Sequence, residues 1–498
     1  MCKLNGNEQI QYNLCTLFSE KHPIVKEDYI TKYYYFTLLH AVLEQNVEFV
    51  PYLSASMKVY KHRFGISDED YAKVVEESSI KSVKDVLVKL KAIRKNYYSF
   101  TRWRLYKRNY KYVFITHIML INKNIGGTSF FEEIKTYLKV KEEIFDVILS
   151  FIENLNKEDL ASAKKSLEEH GELRDLTYFS DEICAKKATA DIAKTPILVV
   201  ATMSAGKSTF INSIIGEDLL PSKNEACTAK SIALTSRHEL PFYIGFKTGS
   251  TTTFDSFIDK NHLIAWNEDE KAGSIHIEGR FNSFLPLNAP MTIIDTPGPN
   301  NSMDRQHSDV TFELLNANKD SHIYYVLNAA NLGTDDDRLL LSKVLKGIPE
   351  KQWGNRITYI LNRMDEIDME ADESIQGVIE SAGNYLASLG IRDATIIPYS
   401  SRAAFLLQKA LGDGEFTRKE KLNVNYYADV YQDEAYSLKI LATRQSSMLI
   451  DIGAVEVGQD KEPLKQALEN SGYYAVIHSL QEVADNNQQI DLKENIAK

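Results

Sequence analysis

The sequence predicts an α/β domain whose mostly parallel sheet is flanked by helices, preceded by an all-α N-terminal domain. After residue 190, short apolar runs rich in β-branched residues each end in a polar loop, as buried parallel strands do: Ile197–Val200, Thr292–Ile294, Ile357–Leu361 and Thr395–Pro398. Before residue 190, glycine and proline are few, and apolar residues repeat at helical spacing: Val86, Leu90 and Ile93, then Phe131, Ile134, Leu138, Phe145, Ile148 and Ile152. We therefore expect a helical domain over residues 1–188 and the α/β domain over residues 189–498.

The first of these strands leads into a phosphate-binding loop, Ala201–Thr209. In the pattern G-x-x-x-x-G-K-[ST], backbone N–H groups surround nucleotide phosphates, the lysine neutralises the β- and γ-phosphates, and the next hydroxyl binds Mg²⁺. Lys207 and Ser208 take these places, and Ala201 stands where glycine is usual, although a small side chain can fit there. The predicted nucleotide contacts are Ala201, Met203, Ala205, Gly206, Ser208 and Thr209.

A D-x-x-G loop follows the strand Thr292–Ile294. Asp295 would hold Mg²⁺ through water, and the N–H of Gly298 would meet the γ-phosphate, so that the loop senses whether this phosphate is present. A lone D-x-x-G is weak evidence. Its position after Lys207 and at the end of a buried strand makes it strong.

The residues that follow two later strands predict which nucleotide base the chain binds. Asn362, Arg363 and Asp365 follow the strand Ile357–Leu361 in a pattern close to N-K-x-D. The aspartate would accept hydrogen bonds from the N1 and N2 edge of guanine, which adenine cannot supply. Arg363 replaces the usual lysine and can still stack on the base. A backbone N–H at Ser400–Ser401 could meet guanine O6. We therefore expect the chain to bind GTP or GDP with Mg²⁺. The alternative interpretation of Asn362–Asp365 is a polar turn after a strand, without a role in base binding.

Between the first two motifs, Thr228 could close over Mg²⁺ when GTP is bound. Together with the motifs above, Thr228 makes the chain resemble a dynamin-like GTPase of the bacterial type over about residues 190–485. The matching stretches are Ser204–Thr209, Gly216–Pro221, Cys227–Ala229 and Asp295–Ser302.

The resemblance implies a dynamin-type GTPase domain whose hydrolysis is stimulated by pairing of two such domains. It also implies that Ser204 contacts the region that bridges the β- and γ-phosphates and a monovalent cation. The catalytic candidates are then Ser204, Lys207, Thr228 and Gly298, and the metal candidates are Ser208, Thr228 and Asp295.

One departure from the family affects the expected rate. Eukaryotic members carry a glutamine where this chain has Met203, and a thioether cannot orient water through strong hydrogen bonds. Hydrolysis could therefore be slow unless a partner completes the site. Gln306 and His307 lie close enough after the D-x-x-G loop to be considered, but surface positions are the favoured interpretation.

Composition indicates a cytoplasmic protein. Peripheral association with a membrane is compatible with this composition. The net charge is −11 at pH 7, and the acidic excess lies after residue 190. No apolar run approaches the length of a membrane span, and the first residues lack a signal-peptide pattern. The four cysteines show no C-x-x-C spacing, so we expect free thiols and no zinc.

Basic and aromatic residues alternate from Arg94 to Lys111 without an acidic residue. The favoured interpretation is a helix whose aromatic side chains belong to the core and are covered by the aliphatic parts of the Lys and Arg side chains. An anionic lipid surface is the alternative, and nucleic acid is not expected as a partner.

Residues 411–470 are polar and turn-rich, which predicts an insertion or a partner-facing arm before a final helix. Because the chain ends at Lys498 soon after that helix, we do not expect the C-terminal stalk of the family to follow.

Two classes of function remain. The favoured one is a Mg²⁺-dependent GTPase coupled to a nucleotide-dependent homodimer or assembly, with a membrane or another protein as a further partner. The alternative is a GTP-gated interaction protein that hydrolyses slowly or not at all. The sequence does not indicate whether the process is membrane remodelling, stress response, secretion or phage defence.

Overall fold

The computed structural model describes residues 21–44, 50–78, 110–121, 129–157, 159–182, 196–203, 205–221, 230–237, 240, 242–249, 253–285, 291–297, 311, 313–367, 374–442, 447–449 and 457–496. They form two compact units. One unit holds the residues before 191 together with Phe254–Phe257, and the other holds the remainder.

The described part of the first unit is helical. Its elements are α1 (Tyr29–Glu44), α2 (Val50–Phe64), α3 (Asp68–Ser78), α4 (Tyr110–Ile121), α5 (Ser129–Tyr137), α6 (Glu142–Asn156), α7 (Leu160–Leu167) and a 3₁₀ turn at Gly171–Leu176. The apolar residues that repeat on α5 and α6, such as Phe131, Ile134 and Ile148, are buried, which confirms their helical pattern. The sequence predictions for Val86, Leu90, Ile93 and residues 94–109 lie outside the described residues.

Two histidines lie within the core of this unit. Nδ1 of His117 is 2.9 Å from the Tyr35 hydroxyl, and its Nε2 is 3.1 Å from the Tyr60 hydroxyl. His22 packs against His117 with ring centroids 5.3 Å apart. Burial, and then the proximity of His117, hold the pKa of His22 well below its ordinary value. The imidazole of His22 is therefore neutral in this core.

The second unit is built on a mixed sheet. The strands of this sheet are β1 (Ile197–Ala201), β2 (Ile232–Ser236), β3 (Ile244–Gly249), β4 (Thr253–Ser256), β5 (Ala272–Gly279), β6 (Thr292–Asp295), β7 (Ile323–Asn328), β8 (Ile357–Asn362), β9 (Thr395–Pro398), β10 (Ile440–Ala442) and β11 (Ser447–Leu449). Of β4, only Thr253 belongs to the second unit. Their order is β11-β10-β9-β8-β7-β1-β6-β2-β5-β3-β4.

The centre of the sheet is parallel and its margins are mixed. β6, β1, β7, β8 and β9 run in parallel. β2 pairs antiparallel with β6 and parallel with β5, whereas β3, β10 and β11 pair with their neighbours in antiparallel fashion. The predicted α/β class with flanking helices is confirmed, and the antiparallel strands add a margin on each side of its parallel centre.

Helices connect and cover the strands. They are α8 (Lys207–Ile215), α9 (Lys260–Glu268), α10 (Asp335–Lys346), α11 (Trp353–Arg356), α12 (Ile375–Ser388), α13 (Ser401–Leu411), α14 (Arg418–Val430), α15 (Glu462–Asn470) and α16 (Tyr473–Ile496). Every residue of β1 and β8 is buried, as expected for central strands with both faces covered. Among the described residues, no helix is both long and apolar enough to cross a membrane.

The polar segment from residue 411 to 470 contains α14, β10, β11 and α15. Composition did not indicate how much of it packs inward. Val424, Tyr427 and Tyr431 repeat at helical spacing and are buried in the same core as the sheet. One face of α14 is therefore part of the folded unit.

Candidate functional site

The phosphate-binding loop begins where β1 ends and closes at the first turn of α8. Gly206 caps this helix with φ of 88°, a left-handed conformation that favours glycine. A Cβ at Gly206 would lie 2.5 Å from Nδ2 of Asn362, so the close approach of the two loops also requires glycine. The first N–H groups of α8 have no partner within the helix, which makes this end suited to an anion.

Lys207 and Asp295 join the phosphate-binding loop to the end of β6. Both side chains are buried, and Nζ of Lys207 donates to Oδ1 of Asp295. The neighbouring Thr296 donates through Oγ1 to the carbonyl of Val199 at 2.8 Å, which fastens the D-x-x-G loop to β1. Two motifs that lie far apart in the sequence therefore meet because β1 and β6 are parallel neighbours.

Asn362 connects three strand ends. Its Nδ2 donates to the carbonyl of Ala205 at 2.8 Å. Its Oδ1 accepts from the backbone N–H of Ser401 at 3.1 Å and from the Ser401 hydroxyl at 2.6 Å. Because these residues are buried, Asn362 determines the spacing between the phosphate-binding loop and the loop after β9.

Asp365 is held from two sides. Its Oδ1 accepts from the Ser400 hydroxyl at 2.5 Å, and its Oδ2 accepts from the Tyr427 hydroxyl at 3.0 Å. Arg363, before it, adopts φ of 66° and donates to both carboxylate oxygens of Glu366, at 2.8 and 3.1 Å. The turn therefore directs Asp365 towards the loop after β9, and it leaves Arg363 half-buried beside it.

Tyr427 is the residue at this site that the sequence analysis missed. It lies on α14, 62 residues after Asp365, in the segment interpreted as an insertion. The tyrosine pair Tyr426–Tyr427 in a polar segment was the only available signal, and it does not indicate which residue it contacts.

The structure brings most of the predicted residues to one edge of the sheet. Lys207, Asp295, Asn362 and Asp365 meet there through the contacts above, together with Ala205, Gly206, Ser400 and Ser401. Ala201 is buried at the end of β1, Ser208 and Thr209 are half-buried in the first turn of α8, and Met203 is 40% exposed. Ser204, Thr228, Gly298, Gln306 and His307 lie outside the described residues.

The oxygen atoms near Lys207 suit a hard divalent cation. A carboxylate at Asp295 and a hydroxyl at Ser208 are donor types that Mg²⁺ accepts, with nucleotide phosphates supplying further oxygens. Within the described part of the chain, no group of three or more His, Cys, Asp or Glu side chains could hold a metal by itself. The residues therefore fit a Mg²⁺ ion that binds together with a nucleotide.

Comparison with known proteins places these motifs in a family. Residues 197–363 match the model of the dynamin family. A "Bacterial dynamin-like protein" of Nostoc punctiforme is 26% identical over 262 residues, which are 49% of this chain and 34% of the relative. A Caldicellulosiruptor protein, named "Uncharacterized protein in xynA 3'region", is 20% identical over 244 residues, 48% of this chain and 55% of the relative. The chain thus spans about a third and about half of these relatives.

Solved structures described as "an oligomerised bacterial dynamin pair" that "provides a mechanism for the long-range sensing and tethering of membranes" are also similar. They are 15% identical, with 95% of this chain and 65% of the other chain covered and a TM-score of 0.34. The family match extends from β1 to the loop after β8, the part of the chain that carries Lys207, Asp295 and the first residues of the predicted base motif. Residues 197–363 therefore match the dynamin family, and about half of the chain is similar to a bacterial dynamin-like protein.

Proposed function

We propose that this protein binds GTP with Mg²⁺ and hydrolyses it to GDP and phosphate, in a cycle coupled to nucleotide-dependent pairing of its GTPase domains. One observation carries the proposal. The ends of β1, β6, β8 and β9 bring Lys207 and the carboxylates of Asp295 and Asp365 to one edge of the sheet, where Asn362 links the loops.

The phosphates would lie over the first turn of α8. Lys207 would exchange its contact with Asp295 for the β- and γ-phosphates, because the negative charge of the triphosphate is greater than that of one carboxylate. Bound Mg²⁺ would neutralise charge on the phosphate oxygens. Ser208, Thr228 and Asp295 are the residues proposed to hold it, and Ser204 and Gly298 complete the proposed phosphate contacts.

The base would lie beside Arg363 and donate to Asp365. Adenine offers no donor pair to this carboxylate, so ATP would partly desolvate it without supplying the two hydrogen bonds that guanine donates. A difference of a few kcal/mol in favour of GTP over ATP follows from this cost. The backbone around Ser400–Ser401, positioned by Asn362, is proposed to meet O6 of guanine.

Met203 supports the alternative of a GTP-gated interaction protein. This thioether is 40% exposed beside the phosphate-binding loop and cannot orient an attacking water. In this alternative, GTP orders the loops that carry Thr228 and Gly298 and recruits partners, and hydrolysis is slow. A peripheral contact with a membrane remains part of either proposal, with the cytoplasm as the expected compartment.

Phosphate release measured over a range of protein concentrations tests the proposal. Wild-type protein with GTP and Mg²⁺ should release phosphate with a specific activity that rises with concentration, and Lys207→Ala should abolish this release. Lys260→Ala is a matched control. Lys260 lies on α9 outside the site, and its Nζ is 2.7 Å from Oδ2 of Asp218. No release at any concentration, together with measurable GTP binding, would favour the alternative.

Pairing is tested by sedimentation. The dimer should be strongest with a transition-state mimic and weakest with GDP, because only a γ-phosphate or its analogue holds both loops closed. A chain that remains monomeric with every ligand, with activity independent of dilution, contradicts the coupling.

A further inference from the structure

Tyr427 contacts the carboxylate to which the proposed function assigns base recognition. We propose that Tyr427 is a positioning residue for guanine: its hydroxyl, presented by α14, holds the Asp365 carboxylate in the orientation that accepts the base. This inference rests on the proposed function and adds a specificity-determining residue from a segment outside the nucleotide motifs.

The geometry distributes the two oxygens of Asp365 between two elements. Ser400, at the end of β9, donates to Oδ1 at 2.5 Å, and Tyr427 donates to Oδ2 at 3.0 Å. With one donor on each oxygen, the carboxylate plane is defined by two fixed hydroxyls. A single donor would leave rotation about the last side-chain bond free.

Tyr427 can act only as a donor in this contact. Its ring is buried, and burial first, followed by the adjacent Asp365 carboxylate, raises the pKa of Tyr427. The hydroxyl therefore stays protonated throughout the physiological range. A neutral donor stabilises the charged carboxylate, which is the form that can accept from guanine.

The contact is compatible with a bound base. An ionised carboxylate offers about four acceptor positions, of which the two hydroxyls use two. Two positions remain for the N1 and N2 donors of guanine. Tyr427 and guanine can therefore bind to Asp365 at the same time, so that the hydroxyl orients the carboxylate and does not compete for it.

α14 is fastened so that it can hold the hydroxyl in place. Thr417 and Glu420 form a capping box at its first turn. Glu420 also lies 3.5 Å from Lys409 and 3.7 Å from Arg402, both on α13. Ser400 is the N-cap of α13 and Tyr427 lies on α14, so the two hydroxyl donors to Asp365 are carried by elements that are joined to each other.

Open space explains why this support is needed. A cavity of about 920 Å³ lies between the base loop and α14, and Asp365 and Tyr427 are among its lining residues. Without the hydroxyl, nothing on α14 would hold the carboxylate in one orientation beside this space. The pairing of Oδ2 with Tyr427 restricts the rotation of the carboxylate.

The test compares GDP with IDP, whose base lacks the N2 amino group, by competition against a fluorescent GDP analogue on the full chain with Mg²⁺. Tyr427→Phe keeps the ring, which packs 6.5 Å from Tyr431, and removes only the hydroxyl. We expect GDP affinity to fall about tenfold and the GDP-over-IDP ratio to fall at least about threefold. Tyr426→Phe is the matched control, because the neighbouring Tyr426 is 55% exposed, and it should change neither value.

A second measurement uses Asp365→Asn. In that background the carboxylate is absent, so adding Tyr427→Phe should leave the GDP-over-IDP ratio unchanged. A purely structural role for Tyr427 would lower the affinities for GDP and IDP equally in both backgrounds, and this outcome overturns the inference. It would also be overturned if Tyr427→Phe bound GDP more tightly, because the hydroxyl would then compete with guanine.

Different results contradict the proposed function and the role of Tyr427. A wild-type chain that does not distinguish GDP from ADP contradicts the proposed function, and the inference falls with it. A wild-type chain that prefers GDP over both ADP and IDP, together with a Tyr427→Phe variant of unchanged ratio, contradicts the inference alone.

Discussion

Replacing Asn362 with alanine should weaken the whole nucleotide edge of the sheet. The change removes three hydrogen bonds, to the Ala205 carbonyl at 2.8 Å and from Ser401 at 3.1 and 2.6 Å. Each contributes about 1 kcal/mol, and the buried Ala205 carbonyl and Ser401 N–H lose their partners, which adds about 1 kcal/mol or more for each group. We expect the free energy of unfolding of this unit to fall by about 5 kcal/mol.

Urea unfolding followed by tryptophan fluorescence measures this loss. Trp266 and Trp353 belong to the second unit, and a Trp103→Phe background removes the remaining tryptophan signal. The unfolding midpoint should decrease by about 1 M or more. Asn384→Ala, at an exposed position of α12, is the control and should change the free energy by less than about 0.5 kcal/mol. A loss below about 1 kcal/mol in Asn362→Ala would refute the role of Asn362 as the link between the loops.

Three further predictions follow from single positions. Asp365→Asn should weaken the binding of GTP and favour that of xanthine nucleotides, because an amide donates a hydrogen bond where the carboxylate accepted one. Competition between GTP and XTP measures the change in preference. Gly472→Ala should destabilise the second unit by about 2 kcal/mol or more in urea unfolding, because φ is +85° and a Cβ would lie 2.3 Å from the Pro398 carbonyl. Burial lowers the pKa of His40 from 6.5 to about 4, so the unfolded chain binds more protons between these values. Stability should therefore fall as pH decreases from about 6.5, by about 2 kcal/mol at pH 5, and His40→Gln should remove that part of the loss in unfolding measured at pH 7 and pH 5.

Each of these has an outcome that contradicts it. If Asp365→Asn retains its preference for GTP over XTP, Asp365 does not recognise the base. If Gly472→Ala unfolds at the wild-type midpoint, the chain at the start of α16 is less closely packed against Pro398 than the structure indicates. If His40→Gln loses as much stability as wild type between pH 7 and pH 5, the titration of His40 does not contribute.

The sequence was sufficient for the strands that end in chemical motifs. Ile197–Val200 and Ile357–Leu361 are apolar, β-branched and followed by polar loops, and such local patterns predict buried strands because both faces of a central strand lose water together. The order of the motifs along the chain then predicted a nucleotide edge. The family match over residues 197–363 supports the same assignment.

The margins of the sheet were not predictable in this way. β10 and β11 have three residues each, and β3 lies near turn-rich segments. The antiparallel pairing of β3 with β5 and of β10 with β9 depends on neighbours that are distant in sequence. β-propensity is decided by such cross-strand packing more than by the residues of one strand. The same reason applies to α14, where a polar composition concealed a buried face.

The sequence by itself determined the phosphate, metal and base motifs, because each is a short run of residues whose spacing is set by one strand and one turn. Only the tertiary structure decided that Asn362 joins the ends of β1, β8 and β9 and that Tyr427 holds Asp365. These contacts join residues that are 39 to 157 positions apart. The physical reason is that a hydrogen bond depends on distance and direction in space, and sequence spacing beyond one element carries no information about either.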